Sequence, residues 1–235
     1  MSKIRFTEPN REILARRDSI INDLTRLVDP AGLITSTDEC RAYETDALTA
    51  YRKMPLAVVL PKTTEEVSAV LKYCHDTGVK VVPRGAGTSL AGGAIPSEDA
   101  VVLGLSKMNR VLAVNYDDRF IRVEAGVTNL SVTAVVAENG FFYAPDPSSQ
   151  LACTIGGNIA NNSGGAHCLK YGVTTNNLLG VRMVLIDGSI IDLGGDYLDS
   201  AGLDLRLRWL SGGMSDEART VQRHVLPERS GYWLG

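Results

Sequence analysis

The chain has 235 residues, a formal charge of −3 and 44% hydrophobic residues. That length suits one large domain or two small lobes, and the weakly acidic balance excludes a surface built for nucleic acid. No apolar run approaches the roughly 20 residues that cross a bilayer, and residues 1–17 lack the apolar centre of a secretory signal, so a cytoplasmic protein without a membrane segment is expected. In chain order, residues 9–27 space Ile13, Leu14, Ile20, Ile21, Leu24 and Leu27 by threes and fours, which predicts one amphipathic helix. Asp29, Pro30 and Gly32 end it, and residues 40–46 read as polar and irregular.

Residues 56–60 form a short apolar strand that stops at Pro61. Thr63 and Glu66 then make a capping-box pattern, Val67, Val70, Leu71 and Cys74 line a helical face, and Gly78 is a stop signal. A strand over 80–83 completes a β-α-β unit. At its end stands the first of two glycine-rich segments, residues 83–93, with Gly85, Gly87, Gly92 and Gly93 among small residues. Such a stretch brings bare backbone N–H groups close to a ligand, and a nest of amides attracts an anion. The plainer alternative is a flexible surface loop. A Rossmann fingerprint does not fit, because Leu90 stands where the third glycine belongs and Pro96 follows instead of a long helix.

Further strands are predicted over 101–105, 111–114 and 120–124, the last two joined by a turn at 115–118. Thr128 caps a second helix with Leu130, Ala134 and Ala137 on one face, ended by Asn139 and Gly140. Residues 141–144 are extended. The second glycine-rich segment covers 154–165, in which Asn158, Asn161, Asn162 and Ser163 add directed hydrogen-bonding groups. Its alternatives are a plain loop, a packed small-residue helix, and turn or cap chemistry at Asn161 and Asn162. Residues 181–193 form a hairpin around Asp187 and Gly188, read as a type I′ turn. The four cysteines (Cys40, Cys74, Cys153 and Cys168) form no C-x-x-C pair and match no zinc spacing, so free thiols and no metal site are expected. His75 and His167 read as helix-end and surface residues, with no catalytic role assigned.

Taken together and in order, Pro83-Arg84-Gly85-Ala86-Gly87-Thr88-Ser89-Leu90-Ala91-Gly92-Gly93, Ala144-Pro145-Asp146-Pro147-Ser148-Ser149-Gln150 and Cys153-Thr154-Ile155-Gly156-Gly157-Asn158 resemble the FAD-binding domain of the vanillyl-alcohol-oxidase/PCMH class. Within it, residues 43–52 and 165–172 are also similar to the large flavoprotein component of bacterial glycolate oxidases. The resemblance implies an α+β fold of two lobes with FAD between them. It divides the chain into a lead-in (1–50), a PCMH-type FAD-binding domain (51–205) and an atypical tail (206–235).

The cofactor contacts it implies are Arg84, Gly85, Ala86, Gly87, Thr88, Ser89 and Leu90 at the diphosphate, with Pro147, Thr154, Gly157, Asn158, Asn161, Ser163 and Gly164 from the second stretch. Some members attach FAD through a histidine in the first loop; none stands here, so FAD is expected to be non-covalent. The implied reaction is oxidation of glycolate, D-lactate or a related 2-hydroxy acid, with electrons passing to flavoprotein and iron–sulfur partner subunits and peripheral placement at the inner membrane through them. The family's substrate-binding cap and catalytic residues belong to a later half, so the chain is expected to lack the cap domain and no catalytic residue is assigned. Beyond Leu205 the family's Gly-Ser-Glu-Gly turn is missing, and residues 206–235 are expected to be a frame-shifted or otherwise aberrant tail, with a divergent C-terminal helix carrying Trp209, Leu210 and Met214 as the alternative. The alternative function is a non-catalytic FAD-binding fragment or truncated pseudogene product.

Overall fold

The structure, a computed structural model, describes residues 7–194 and 203–209. The first lobe opens with helices α1 (Arg11–Ala15) and α2 (Arg17–Leu24), capped by the Asn10 side chain, which accepts from the Glu12 N–H. The sequence predicts one helix here. The structure breaks it at Arg16 (φ −94°, ψ 8°), and the buried face is still Ile13, Ile20 and Leu24.

Strand β1 (Leu33–Ile34), helix α3 (Thr37–Cys40), strand β2 (Ala57–Val59), helix α4 (Thr64–Thr77), strand β3 (Lys80–Arg84) and strand β4 (Ala100–Gly104) follow. The sheet order is β1-β2-β4-β3, with β4 parallel to both β2 and β3. Its central strands are apolar at every position because both faces are covered. Ala57, Val59, Val101 and Leu103 face α2 and α4, while Val58 and Val102 meet Cys40 and Leu60 on the other side. Helix α4 begins and ends as the sequence predicts: Thr63 Oγ1 accepts from the Glu66 N–H (3.2 Å) and Gly78 closes it at φ +73°. The Glu66 carboxylate reaches one residue further back than a capping box, accepting from the Lys62 N–H. Residues 40–46, expected to be irregular, include the end of α3 and a 3-10 turn at Arg41–Tyr43.

The second lobe is a six-stranded sheet in the order β5 (Val111–Asn115), β6 (Phe120–Val123), β10 (Leu203–Trp209), β8 (Leu178–Val184) and β9 (Ile190–Gly194), with β7 (Phe141–Tyr143) continuing along β10. Helix α5 (Asn129–Val136) covers it with Val132 and Val136, and Ile155 of helix α6 (Ile155–Ala160) joins the same core. The face predicted for α5 is corrected. Leu130 is exposed, and the helix buries Asn129, Val132 and Val136, with Asn129 Nδ2 donating to the Pro145 carbonyl (2.9 Å). A short helix α7 (Cys168–Tyr171) follows the second glycine segment.

The hairpin lies where expected, with a different turn. Gly188 alone has positive φ (+86°); its N–H donates to the Leu185 carbonyl and the Leu185 N–H donates to the Ser189 carbonyl. This is a three-residue loop with glycine at the left-handed position, not type I′. Asp187 keeps an ordinary φ because its carboxylate accepts from the Ser189 N–H. Ser68 Oγ of α4 donates to the Gly188 carbonyl (2.6 Å), so the tip of the hairpin is fastened to the first lobe.

Strand β10 crosses the boundary expected at 205/206. Leu203–Arg206 pair with β6 and Leu207–Trp209 pair with β7, and Leu205 and Leu207 are both buried. Leucine at every second position from 203 to 207 is the period-2 pattern that marks this strand. The remainder of the expected tail, 210–235, lies outside the described residues. Among the described residues no helix is long and apolar enough to cross a membrane.

Candidate functional site

The site begins at the end of β3, the edge strand of the first sheet. Beyond Arg84 the chain leaves the ladder, and the N–H groups of residues 85–90 donate to no acceptor among the described residues. The loop is held from behind. Arg84 Nη1 donates to the Thr45 carbonyl (2.7 Å), and its guanidinium lies over the Tyr43 ring (5.5 Å to the centroid). Burial pulls the Arg84 pKa down, opposed by the nearby Asp46 charge. Gly87 sits at φ +73° against the same guanidinium, where any Cβ would collide, and its carbonyl accepts from the Ala47 N–H (2.9 Å). The Arg84 side chain is therefore a brace for the loop.

The second segment forms α6 and the turn after it. Thr154 caps α6, with Oγ1 accepting from the Gly157 N–H at 3.4 Å. The Ile155 and Gly156 N–H groups donate to the Val127 and Ala125 carbonyls, those of Asn158, Asn161 and Ser163 to Thr154, Gly157 and Asn158 carbonyls. Asn162, at φ +46°, accepts from both the N–H and the hydroxyl of Thr175. Of the readings left open for this stretch, a packed small-residue helix with cap and turn chemistry at its end is the one realised.

The two segments meet. A Cβ on Gly85 would collide with Thr154 Oγ1 and lie 3.6 Å from Gly157, and Ser89 Oγ donates to Asn161 Oδ1 (3.2 Å). Asn161 Nδ2 in turn donates to the Gly157 carbonyl (3.0 Å). Gly85, Ser89, Thr154, Gly157 and Asn161 thus form a continuous seam between the lobes. Pro147 shapes the approach to the second segment, its carbonyl accepting from the Gln150 N–H, while within the segment Ser163 accepts from Thr174 and Gly164 packs on Cys168.

Beside Gly157 of the seam, one buried atom lacks a partner that chemistry demands. Asn158 is 1% exposed, and its Nδ2 meets no acceptor among the described residues. A buried amide donor left unpaired costs about 1–3 kcal/mol, so it marks a place for an acceptor from outside the chain. Sequence reasoning does not find the Asp146–His167 pair, in which one carboxylate oxygen accepts from the His167 N–H and the other lies 3.0 Å from Nδ1. Phe142 and Tyr171 stand edge-on to that imidazole. Only the fold reveals that Asp146 and His167, separated by the second segment, come together. Among the described residues no group of three or more His, Cys, Asp or Glu side chains could hold a metal ion.

Residues 55–194 match the family of FAD-binding domains. The chain belongs to that family. It is 46% identical over 213 residues to glycolate oxidase subunit GlcD of Escherichia coli (strain K12), covering 90% of this chain and 43% of the relative. It is 39% identical over 189 residues to D-lactate dehydrogenase of Archaeoglobus fulgidus, covering 80% of this chain and 42% of the relative. The chain thus spans less than half the length of these curated relatives. In structure it resembles p-cresol methylhydroxylase with substrate bound, with a TM-score of 0.71 and 19% identity over 86% of this chain and 44% of that one. The fold is therefore the PCMH-type arrangement of two α+β lobes.

The residues of this FAD-binding domain fit the group the family name implies. A diphosphate needs several hydrogen-bond donors and a backbone able to approach closely. The loop at 85–90 supplies amides that are unpartnered among the described residues, with no carboxylate among its side chains. The orphaned Asn158 Nδ2 is one more donor, next in the chain to Gly157 of the seam, where the glycine at position 85 lets the two segments approach closely.

Proposed function

We propose that the chain is the FAD-binding part of a flavoprotein oxidoreductase that oxidises a 2-hydroxy acid to the 2-oxo acid, with glycolate the first candidate substrate and D-lactate the next. The observation that carries the cofactor assignment is the run of N–H groups at 85–90, unpartnered among the described residues, closing on Thr154, Gly157 and Asn161. The substrate class follows from the relatives, which are named for glycolate and D-lactate.

In this reading Arg84, Gly85, Ala86, Gly87, Thr88, Ser89 and Leu90 form the diphosphate loop. The backbone of 85–90 donates hydrogen bonds and the Arg84 side chain keeps the loop in shape. Thr154, Gly157, Asn158 and Asn161 form the facing wall, with Asn158 Nδ2 donating to the cofactor; Pro147, Ser163 and Gly164 complete that wall. Bound FAD would accept a hydride from the substrate carbon. The chain's own work is to hold the cofactor, fix its orientation and exclude water from one side. Because no histidine stands in 84–90, the flavin is held non-covalently. Electrons leave to flavoprotein and iron–sulfur partner subunits, in the cytoplasm or at the inner membrane through those partners.

A second reading, an FAD-binding chain without turnover, is favoured by one observation. The described seam side chains Ser89, Thr154, Asn158 and Asn161 include no group able to take the hydroxyl proton of a 2-hydroxy acid near neutral pH. The purified chain's visible spectrum tests both. A bound-flavin spectrum bleached anaerobically by glycolate or D-lactate supports the oxidoreductase. A flavin that binds and does not bleach supports the second reading. A folded chain that takes up no FAD overturns both, and a flavin that stays attached through acid precipitation overturns the non-covalent assignment.

A further inference from the structure

The diphosphate loop has a neighbour outside both glycine segments, the stretch from Tyr43 to Leu48. Two hydrogen bonds fasten this stretch to the loop: Arg84 Nη1 to the Thr45 carbonyl (2.7 Å) and the Ala47 N–H to the Gly87 carbonyl (2.9 Å). Asp46 lies between these two anchors. It is 4% exposed. One carboxylate oxygen accepts from the Leu48 N–H (2.9 Å), and the other, Oδ2, meets no donor among the described residues. The Arg84 guanidinium supplies compensating charge close by, but a buried carboxylate oxygen still calls for a hydrogen-bond donor.

The unmatched groups here are of opposite kinds. Residues 85–90 offer donors without acceptors, and Asp46 offers an acceptor without a donor, with Gly87 tied directly to its neighbour Ala47. Donors suit a phosphate. A carboxylate beside a phosphate site repels the phosphate itself and pairs instead with a neutral hydroxyl next to it. A diphosphate flanked by sugar and sugar-alcohol chains presents both features.

We propose that Asp46 is a further cofactor-binding residue, whose Oδ2 accepts a hydroxyl hydrogen from the polyol chain flanking the FAD diphosphate. The inference rests on the FAD reading above. It places Asp46 as a sensor for the hydroxylated part of the ligand, separate from the amides that hold its phosphates.

Equilibrium titration of FAD into the purified chain, followed by flavin fluorescence, tests it with two variants. Asp46→Asn removes the charge at constant size. Asp46→Ser keeps an acceptor for the Leu48 N–H and removes the second oxygen. Both are expected to raise the FAD Kd about tenfold, the change that loss of one charge-assisted hydrogen bond produces, while the melting temperature of the cofactor-free chain stays within about 3 °C of wild type. ADP and FMN serve as partial probes. A loss confined to ADP places the hydroxyl on the ribose, and one confined to FMN places it on the ribityl chain; either supports the proposal. Unchanged FAD affinity in both variants overturns it and leaves the FAD reading standing. A parallel fall in affinity and in melting temperature in both variants overturns it in favour of a structural role. A folded wild-type chain that binds no FAD removes the underlying reading, and this inference with it.

Discussion

The two glycine-rich segments look alike in sequence and differ in what their backbones do. In the first, the N–H groups of 85–90 find no acceptor among the described residues, and the loop takes its shape from outside, through Arg84 on Thr45 and Ala47 on Gly87. In the second, the N–H groups from Ile155 to Ser163 are engaged within the lobe, and further bonds from Thr174 and Thr175 tie the turn at Ser163 and Asn162. Glycine therefore serves two purposes. In the first segment it leaves a donor surface bare; in the second it lets a short helix press on Ala125 and the turn after it press on Cys168 and Asp146. The first can bind by its backbone. From Ile155 to Ser163 the second can offer a ligand side chains, such as Asn158, and a close-fitting wall.

If the second segment is scaffold, disturbing its packing should damage stability before it damages binding. The largest effect is expected for Gly165→Ala. The added carbon would collide with the Asp146 carbonyl, a backbone atom that cannot turn aside. Overpacking of this kind costs about 3 kcal/mol, read as a lowered midpoint in urea, with FAD binding lost only as the fold is lost. A Gly165→Ala chain as stable as wild type would show that the second segment yields and is not the rigid partner.

The contrast between the segments is only partly legible in the sequence. The glycine content, the strand before residue 84 and the helix signals at Thr63 and Gly78 are plain, because each rests on local backbone chemistry. The internal pairing of the second segment is not, since its acceptors at Ala125 and Val127 are distant in the chain. The inner face of α5 escapes the sequence pattern for a related reason. Asn129 looks like a surface residue until the Pro145 carbonyl is brought to it by the fold. Strand β10 is hidden although Leu203, Leu205 and Leu207 alternate, because the arginines between them resemble the arginine-rich stretch that follows. The Asp46 acceptor carries no sequence signal at all, since a buried carboxylate and a surface one read alike.

The first segment is displayed by β3, and the strand's start is pinned by an ion pair between a half-exposed lysine and a buried carboxylate. Asp99 is 1% exposed; its Oδ2 accepts from Lys80 Nζ (2.8 Å) and from the Asn10 N–H (2.9 Å). Burial alone would raise its pKa, but Lys80 and the Asn10 N–H outweigh that and hold it at about 2. A folded pKa below the unfolded one stabilises the protein above the unfolded value, near pH 4, and the gain disappears as pH falls through 2. Asp99→Asn is accordingly expected to cost about 2 kcal/mol at pH 7 and to flatten the loss of stability between pH 4 and pH 2. Equal pH profiles for the variant and the wild type would remove Asp99 from this role.

Gly85→Ala tests the seam itself. The new carbon meets Thr154 Oγ1, a side-chain atom able to rotate, with Gly157 just beyond at 3.6 Å. The stability cost should be modest, about 1–2 kcal/mol, because Thr154 can give way. Binding should suffer more, since Thr154 in turning loses its cap on Gly157 and the loop is displaced from the wall that carries Asn158. An FAD Kd raised about tenfold corresponds to about 1.4 kcal/mol, and a variant that loses stability with no change in Kd would place the cofactor away from the seam.

The smallest effect is expected at Ser89→Ala. Its hydroxyl donates to Asn161 Oδ1 at 3.2 Å, the one described side-chain hydrogen bond that runs from the first segment to the second. The pair is exposed, so water replaces either partner on removal and the net cost to stability should stay below about 0.5 kcal/mol. The Ser89 N–H survives the substitution, and in the backbone-donor reading that N–H does the binding. FAD affinity should therefore fall by no more than about threefold, measured beside the tenfold loss at Gly85. A Ser89→Ala chain that loses FAD as severely as Gly85→Ala would mean that the first segment binds through its side chains, and the division between a donor loop and a packed wall would fail at the point where the two segments touch.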